Sequence, residues 1–260
     1  MLVCNFYDSV ARTGKARPPI KERKMIYLDH AATTSIRPPV YEALNYWYGS
    51  GRCGNPSSLH SAGRQAHQAI YQARFDVSKL IGADSPEEII FTSGGSESDN
   101  LALTGMASAL NATNHNVMLV SQIEHHAILN SCEYLEKLGY DVTYLEVDGD
   151  GLISPEQVMD AIRPDTTLIS VMFANNEIGS VLPIAEIGEV CRAHGVLFHT
   201  DAVQAFGKMQ VLKSGVDMIS VSAHKIHGPK GIGALYIKKG INIRPYIVGG
   251  GQEKHFRSGT

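Results

Sequence analysis

An α/β fold with a mostly parallel sheet between helices is the architecture this sequence predicts, and three observations predict it. Short apolar runs alternate with longer amphipathic stretches, the rhythm of βαβ units. Most of these runs are apolar on both faces, as strands are when helices cover both sides of a sheet. The chain has 260 residues, 43% hydrophobic and 19% charged, enough for a sizeable core.

Along the chain, residues 1–24 mix charges with a Pro-Pro pair and show no sustained periodicity. They read as an extension ahead of one domain spanning 25–260. "EEIIFT", "NVMLVS", "DVTYLEV", "TLISVMF", "GVLFHTD" and "DMISVSA" read as strands, with helical patterns between most of them. "SPEQVMDAI" opens a helix at Ser154 with Pro155 in its first turn, and "PIAEIGEVCRAHG" runs from Pro183 to a stop at Gly195. Ile184, Ile187, Val190 and Cys191 share one face of the latter. Ile128, Leu129, Cys132 and Leu135 share a face of the helix after His126. Cys132 and Cys191 are therefore expected as small core residues.

Composition narrows the function. The 23 basic and 26 acidic residues are dispersed and the net charge is -3, so no footprint for nucleic acid or anionic membrane is visible. No apolar run approaches the roughly 18 residues of a membrane span, and the N-terminus lacks the apolar core of a secretory signal. A cytoplasmic protein that meets small molecules or other proteins is expected. Cys4, Cys53, Cys132 and Cys191 are far apart with no CxxC pair, which favours reduced thiols over disulfides or a cysteine-held metal.

In open α/β sheets ligands collect at the carboxyl ends of the strands, so the residues that follow each strand are the candidates. After "EEIIFT", Gly94 and Gly95 free the backbone ahead of a helix expected to start near Glu97, and Ser96 adds a hydroxyl. Exposed N–H groups there suit a phosphate, although paired glycines also make an ordinary turn. After "NVMLVSQ" stand Glu124, His125 and His126, where an imidazole can stack on a flat ring, shuttle protons or simply cap a helix. "ANNEIG" offers Asn175, Asn176 and Glu177 as ligands or as turn residues. Asp201 ends a buried strand, where a carboxylate is costly unless paired, and Gln204 follows it. Ser222, His224 and Lys225 end the next strand. A lysine at that mouth loses hydration, which favours the neutral, nucleophilic amine, while the ordinary alternative is a snorkelling surface lysine. An amine for an imine, an aspartate for a pyridinium proton, an imidazole to stack and a glycine-serine loop for a phosphate are together what pyridoxal 5'-phosphate requires of a protein.

The blocks "YLDHAATT", "GNPSSLHSAGRQA", "EIIFTSGGSESDNLAL", "EHHAILN", "FANNEIGSV", "HTDAVQAFGK", "SAHKIHGPKGIGALY" and "GGGQEKHFRSGT" resemble, in order, the pyridoxal-phosphate cysteine desulfurases of the NifS/IscS type, within the class V aminotransferases. The resemblance implies the large domain of the aspartate-aminotransferase-like, fold type I architecture. It implies that Lys225 carries the cofactor as a Schiff base, Asp201 pairs with the pyridine nitrogen, and His125 stacks on the ring as acid or base. Gln204 and Asn176 would reach the phenolic oxygen and substrate side. Gly95, Ser96, Ser222 and His224 would hold the phosphate, the first two standing where relatives usually carry alanine and threonine. Thr260 would reach the phosphate of the other subunit, which implies a homodimer. The implied reaction takes sulfur from L-cysteine, leaving L-alanine and an enzyme persulfide for a sulfur-acceptor or iron-sulfur scaffold protein, or for tRNA thiolation.

In that family the sulfur-accepting cysteine and the substrate-gripping arginine lie beyond the "RSGT" block. The chain stops at Thr260, so the C-terminal small domain is expected to be absent. Cys53, in a loop, is a candidate substitute thiol. Three readings stay open: a fragment of a desulfurase, a cofactor-binding protein limited to lysine-dependent steps, and a non-catalytic dimeric scaffold.

Overall fold

Seven short strands line up in one sheet: β1 (Ile89–Thr92), β2 (Val117–Ser121), β3 (Asp141–Leu145), β4 (Thr166–Ser170), β5 (Leu197–Asp201), β6 (Met218–Ser222) and β7 (Gly233–Ile237). The structure is a computed structural model that describes residues 26–49, 51–110, 117–211 and 215–259. The expected extension, Cys4 and Thr260 lie outside these residues. The order across the sheet is β1-β7-β6-β5-β4-β2-β3.

The six apolar runs are β1 to β6. β7, "GALYI", adds a strand to that expectation and pairs antiparallel with both β1 and β6, while the remaining pairs are parallel. Its five residues are all buried. Such a short run just after the Lys230-Gly231 turn carries too little periodicity to stand out. Because β1 and β6 both oppose β7, six strands point the same way. Their carboxyl ends therefore share one rim, with the amino end of β7 set between Thr92 and Ser222.

Among the described residues six α-helices accompany the sheet: α1 (Pro38–Tyr48), α2 (Ser61–Ile81), α3 (Gly95–Leu110), α4 (His126–Lys137), α5 (Pro155–Ala161) and α6 (Ile184–His194). Strand residues alternate between two apolar layers. Met118, Val120, Leu168, Met218 and Leu235 meet Leu101, Leu103 and Met106 of α3 and Ile128, Cys132 and Leu135 of α4. Val117, Leu119, Ile169, Phe198, Ile219 and Tyr236 meet Ile81 of α2, Val158 of α5 and Ile184, Ile187 and Cys191 of α6. Each such side chain contributes about 1.5–3 kcal/mol on burial. Val190 and Leu129 are half-buried, at the margins of their expected faces.

The helix ends follow local chemistry. Ser154 and Gln157 form a reciprocal capping box at α5, their paired bonds 3.2 and 2.9 Å long. Gly195 closes α6 at φ 68°, a left-handed position that suits glycine. α3 begins at Gly95, two residues before the expected start. The cause is Glu97, whose carboxylate reaches back to accept the Ser93 N–H at 2.8 Å and so satisfies a donor ahead of the first turn.

Cys132 and Cys191 are buried as expected, and burial pushes both thiols up to about 12. Cys53 is exposed. A thiol-alkylating reagent on the folded protein is therefore expected to label Cys53 and spare Cys132 and Cys191, as read by peptide mass spectrometry. Equal labelling of all three would contradict the packing described. Among the described residues no helix is long and apolar enough to cross a membrane.

Candidate active site

The shared rim collects polar groups from five strand ends. Asp201, the last residue of β5, is buried, and its Oδ1 accepts the Val203 N–H at 2.8 Å. Burial pushes its carboxyl up to about 6, against the pull of that N–H and of the Lys225 charge. A buried carboxylate with one backbone donor and a nearby amine is ready to face a second cationic group.

Lys225 ends a short 3-10 helix, Ala223–Lys225, directly after β6. It is half-buried, and its pKa is lowered, first by desolvation and then by the Lys208 charge, while Asp201, Asp29 and Glu177 oppose the shift. Its Nζ donates to the Ala31 and Ala32 carbonyls, the latter at 2.9 Å. Gln204 Nε2 donates to the same Ala31 carbonyl at 2.9 Å, and Gln204 Oε1 accepts from Lys208 Nζ at 3.1 Å.

The segment Ala31–Thr34 thus straps the lysine turn from 190 residues away. Thr34 donates through both its N–H and Oγ1 to the His224 carbonyl, at 2.9 and 2.8 Å, and Thr34 Oγ1 accepts the His227 N–H at 2.7 Å. His224 Nδ1 lies 3.1 Å from Thr33 Oγ1. The His224 ring is thereby engaged by the strap. These contacts were not legible beforehand, because "YLDHAATT" has no periodicity of its own and carries its information in backbone carbonyls.

The glycine loop closes against the neighbouring strand ends. A Cβ on Gly95 would stand 2.8 Å from Val203 Cγ2 and 3.8 Å from Ser222 Cβ, so the first turn of α3 presses against the ends of β5 and β6. Ser222 is buried beside it. The loop comes this close because Gly233, at the amino end of β7, has no side chain: a Cβ there would fall 2.8 Å from both Gly94 Cα and C and 2.5 Å from the Val221 carbonyl. Gly233→Ala is expected to push the Gly94–Ser96 loop outward, weaken binding of inorganic phosphate, and cost about 1–3 kcal/mol in urea denaturation. Unchanged phosphate affinity would show that the loop holds no anion.

His125 caps α4, its Nδ1 accepting the Ala127 N–H at 3.1 Å. Its pKa is lowered by burial and by the His126 and Lys225 charges, so the neutral imidazole prevails near pH 7. Ser96 and His125 line one cavity of about 390 Å³ together with Asn100, Asn130, Tyr134 and Tyr246, within the size range of small-molecule sites. Asn175 is the turn-former of its pair: its Oδ1 accepts from the Glu177 and Ile178 N–H groups at 2.8 and 3.0 Å. Asn176 is half-buried and donates to Glu177 Oε1 at 2.6 Å, and the Glu177 charge reaches Lys225. Of the ten candidate residues, Thr260 is the one outside the described residues.

Known proteins resemble this chain in sequence and fold. The aminotransferase class-V family model matches residues 26–259. The chain is 50% identical over 240 residues to the cysteine desulfurase IscS of Dictyoglomus turgidum, covering 92% of this chain and 60% of that protein. It is 49% identical over 237 residues to a putative cysteine desulfurase IscS 1 of Bacillus subtilis, covering 90% and 62%. A solved structure described as SspA in complex with cysteine superposes with a TM-score of 0.87 at 44% identity, covering 91% of this chain and 68% of that one. The chain spans about three fifths of the length of the curated relatives it matches. A match over residues 26–259, on a sheet whose strand ends present these side chains, places the chain in the class-V aminotransferase family.

Proposed function

We propose that this chain binds pyridoxal 5'-phosphate through Lys225 and carries the cofactor-binding part of a cysteine desulfurase, which takes sulfur from L-cysteine and leaves L-alanine. The observation that carries this reading is that consecutive strand ends set a buried Asp201 carboxylate and a half-buried Lys225 amine on one rim, each within the other's electrostatic reach. The donor set fits the group, since the start of α3, opened by Gly94 and Gly95, offers N–H groups for a phosphate, and the buried Asp201 carboxylate stands ready for a cationic ring nitrogen. Relatives named cysteine desulfurase support the substrate class.

When bound, pyridoxal 5'-phosphate supplies a ring that accepts electrons from the carbon beside the substrate amine. The chain supplies the rest. Lys225 Nζ, biased toward its neutral form, is the nucleophile that holds the cofactor and the base that takes a proton from substrate. Asp201 would hold a proton on the ring nitrogen. His125 would cover the ring, Gln204 and Asn176 would address the phenolic oxygen and substrate side, and Gly95, Ser96, Ser222 and His224 would hold the phosphate. The resemblance extends the proposal to a homodimer in the cytoplasm, with Thr260 reaching the partner's phosphate and sulfur passing to an acceptor or iron-sulfur scaffold protein.

The test adds pyridoxal 5'-phosphate to the purified chain and follows its visible band, then adds L-cysteine and assays alanine, pyruvate and sulfide. A band that disappears in Lys225→Ala supports cofactor binding. A band unchanged in that variant, or no band in the native chain, overturns it and leaves the scaffold reading. A second reading limits the chain to lysine-dependent steps: of the described thiols, Cys132 and Cys191 are buried and held protonated, which leaves the exposed Cys53. Pyruvate in place of alanine and persulfide selects that reading.

A further inference from the structure

Glu97 places a negative charge at the end of α3 that the cofactor reading assigns to a phosphate. It stands in the first turn of the helix, its side chain 10% exposed, and its Oε2 accepts the Ser93 N–H at 2.8 Å. The first backbone bond at this end runs from the Ser98 N–H to the Gly94 carbonyl at 3.1 Å, so the Gly95, Ser96 and Glu97 N–H groups come before it and remain for an outside acceptor. Burial works to raise the Glu97 carboxyl, but its bonds to Arg257 and Ser93 outweigh burial and hold it below its ordinary value. It is ionised at neutral pH. Once a phosphate is bound, the same turn carries two anions, and each opposes the other.

Arg257 removes that conflict. Its Nε donates to Glu97 Oε1 at 2.8 Å from 160 residues away, and its side chain is 26% exposed. The backbone around it is fixed: Arg257 bridges to Ile247, the Ser258 N–H donates to the Ile247 carbonyl at 3.2 Å, and Ser258 Oγ donates to the Gly250 carbonyl at 2.8 Å. The chain then turns over the guanidinium at Gly259, where φ is 133° and a Cβ would fall 2.6 Å from Arg257 Nη1. The tertiary structure thus delivers one cation to one carboxylate, at the mouth of the glycine loop.

We propose that Arg257 is a positioning residue for the phosphate: it neutralises Glu97, which can then hold the Ser93 N–H and fix the loop without repelling an anion bound at the start of α3. The proposal rests on the cofactor reading and deepens it, since neither side chain is among the ten candidates.

Inorganic phosphate is the probe, titrated by calorimetry near pH 7 and at low salt into the full chain and three variants. Arg257→Met keeps the apolar stem and bares the Glu97 charge, so phosphate affinity is expected to fall about fivefold or more. Glu97→Gln keeps an oxygen for the Ser93 N–H and leaves the Arg257 charge, so affinity is expected to rise about threefold or more. The double variant carries neither charge and is expected to return to within about twofold of the native chain, because the two changes cancel. Raising the salt should shrink both single-variant effects. The opposite signs separate charge from fold: a pair that only holds the segment in place would weaken binding in both single variants, with no recovery in the double. That pattern, or native affinity in Arg257→Met, overturns the proposal and leaves the cofactor reading intact. If the native chain and all three variants bind neither inorganic phosphate nor pyridoxal 5'-phosphate, the cofactor reading fails and the proposal with it.

Discussion

Asp201→Asn is expected to make the unloaded protein more stable and the loaded protein far weaker. The carboxyl stands at 3.8 ordinarily and at about 6 in the fold, chiefly through desolvation. Between those values the folded chain binds more protons than the unfolded one. The stability tied to that proton is fully present below about pH 4 and is lost as pH rises through about 6. The cost of holding the ionised group at pH 8 is about 3 kcal/mol. Asparagine does not titrate, so its advantage over aspartate should grow from pH 4 to pH 7 and then level, as measured by urea denaturation across that range. Pyridoxal 5'-phosphate should reverse the ranking. Taking away one partner of a buried charge pair costs about 3–5 kcal/mol, which corresponds to a hundredfold or greater loss of affinity. A variant that is less stable than the native chain at pH 8 without the cofactor would refute the account of Asp201 as a strained anion held for a ligand.

Glu253→Ala is expected to cost about 3–5 kcal/mol of stability, the largest loss among single changes away from the rim. Glu253 lies in the short turn Gln252–His255, and its two oxygens pair with both terminal nitrogens of Arg74 at 2.7 Å. Glu253 Oε2 also accepts the Phe91 N–H of β1 at 2.7 Å, and Arg74 donates to the Ile89 carbonyl. Arg74 lies over the Phe91 ring, 4.8 Å from its centroid. The side chains are 9% and 14% exposed, so removing the carboxylate strands a guanidinium and leaves the Phe91 amide without its acceptor. Arg257 extends the same tie to Glu97, at 2.8 Å, on the first turn of α3. Because α3 begins at the glycine loop, Glu253→Ala should also loosen inorganic phosphate binding. Urea denaturation and phosphate titration check the two effects, and a loss under 1 kcal/mol would mean that the turn is held by other contacts.

Glu253 also shows where reading the chain in order stops working. Glu253, Lys254 and His255 all take positive φ, at 43°, 57° and 68°, a backbone state unusual for residues with side chains. Nothing in "GGGQEKHF" announces that state, and the Glu253 side chain is held by Arg74, 179 residues away. The Thr34–His224 contact is of the same kind, and so is the approach of Gly94 to Gly233.

Periodic and local features were readable. Short apolar runs marked β1 to β6, helical spacing marked the buried faces of α4 and α6 and with them the burial of Cys132 and Cys191, and capping chemistry marked α5. The rim residues Asp201, Ser222 and Lys225 were legible because a polar group directly after an apolar strand is conspicuous and strand ends gather in this fold class. Tertiary structure alone decided three things. It inserted β7 against the direction of its neighbours, it set the Ala31–Thr34 carbonyls and hydroxyls over the lysine, and it brought Arg257 to Glu97 at the start of α3. The physical reason is common to all three. Periodicity reports which face of an element meets the core, but the proton affinity of a carboxyl and the direction of a hydrogen bond depend on groups brought together across the whole chain.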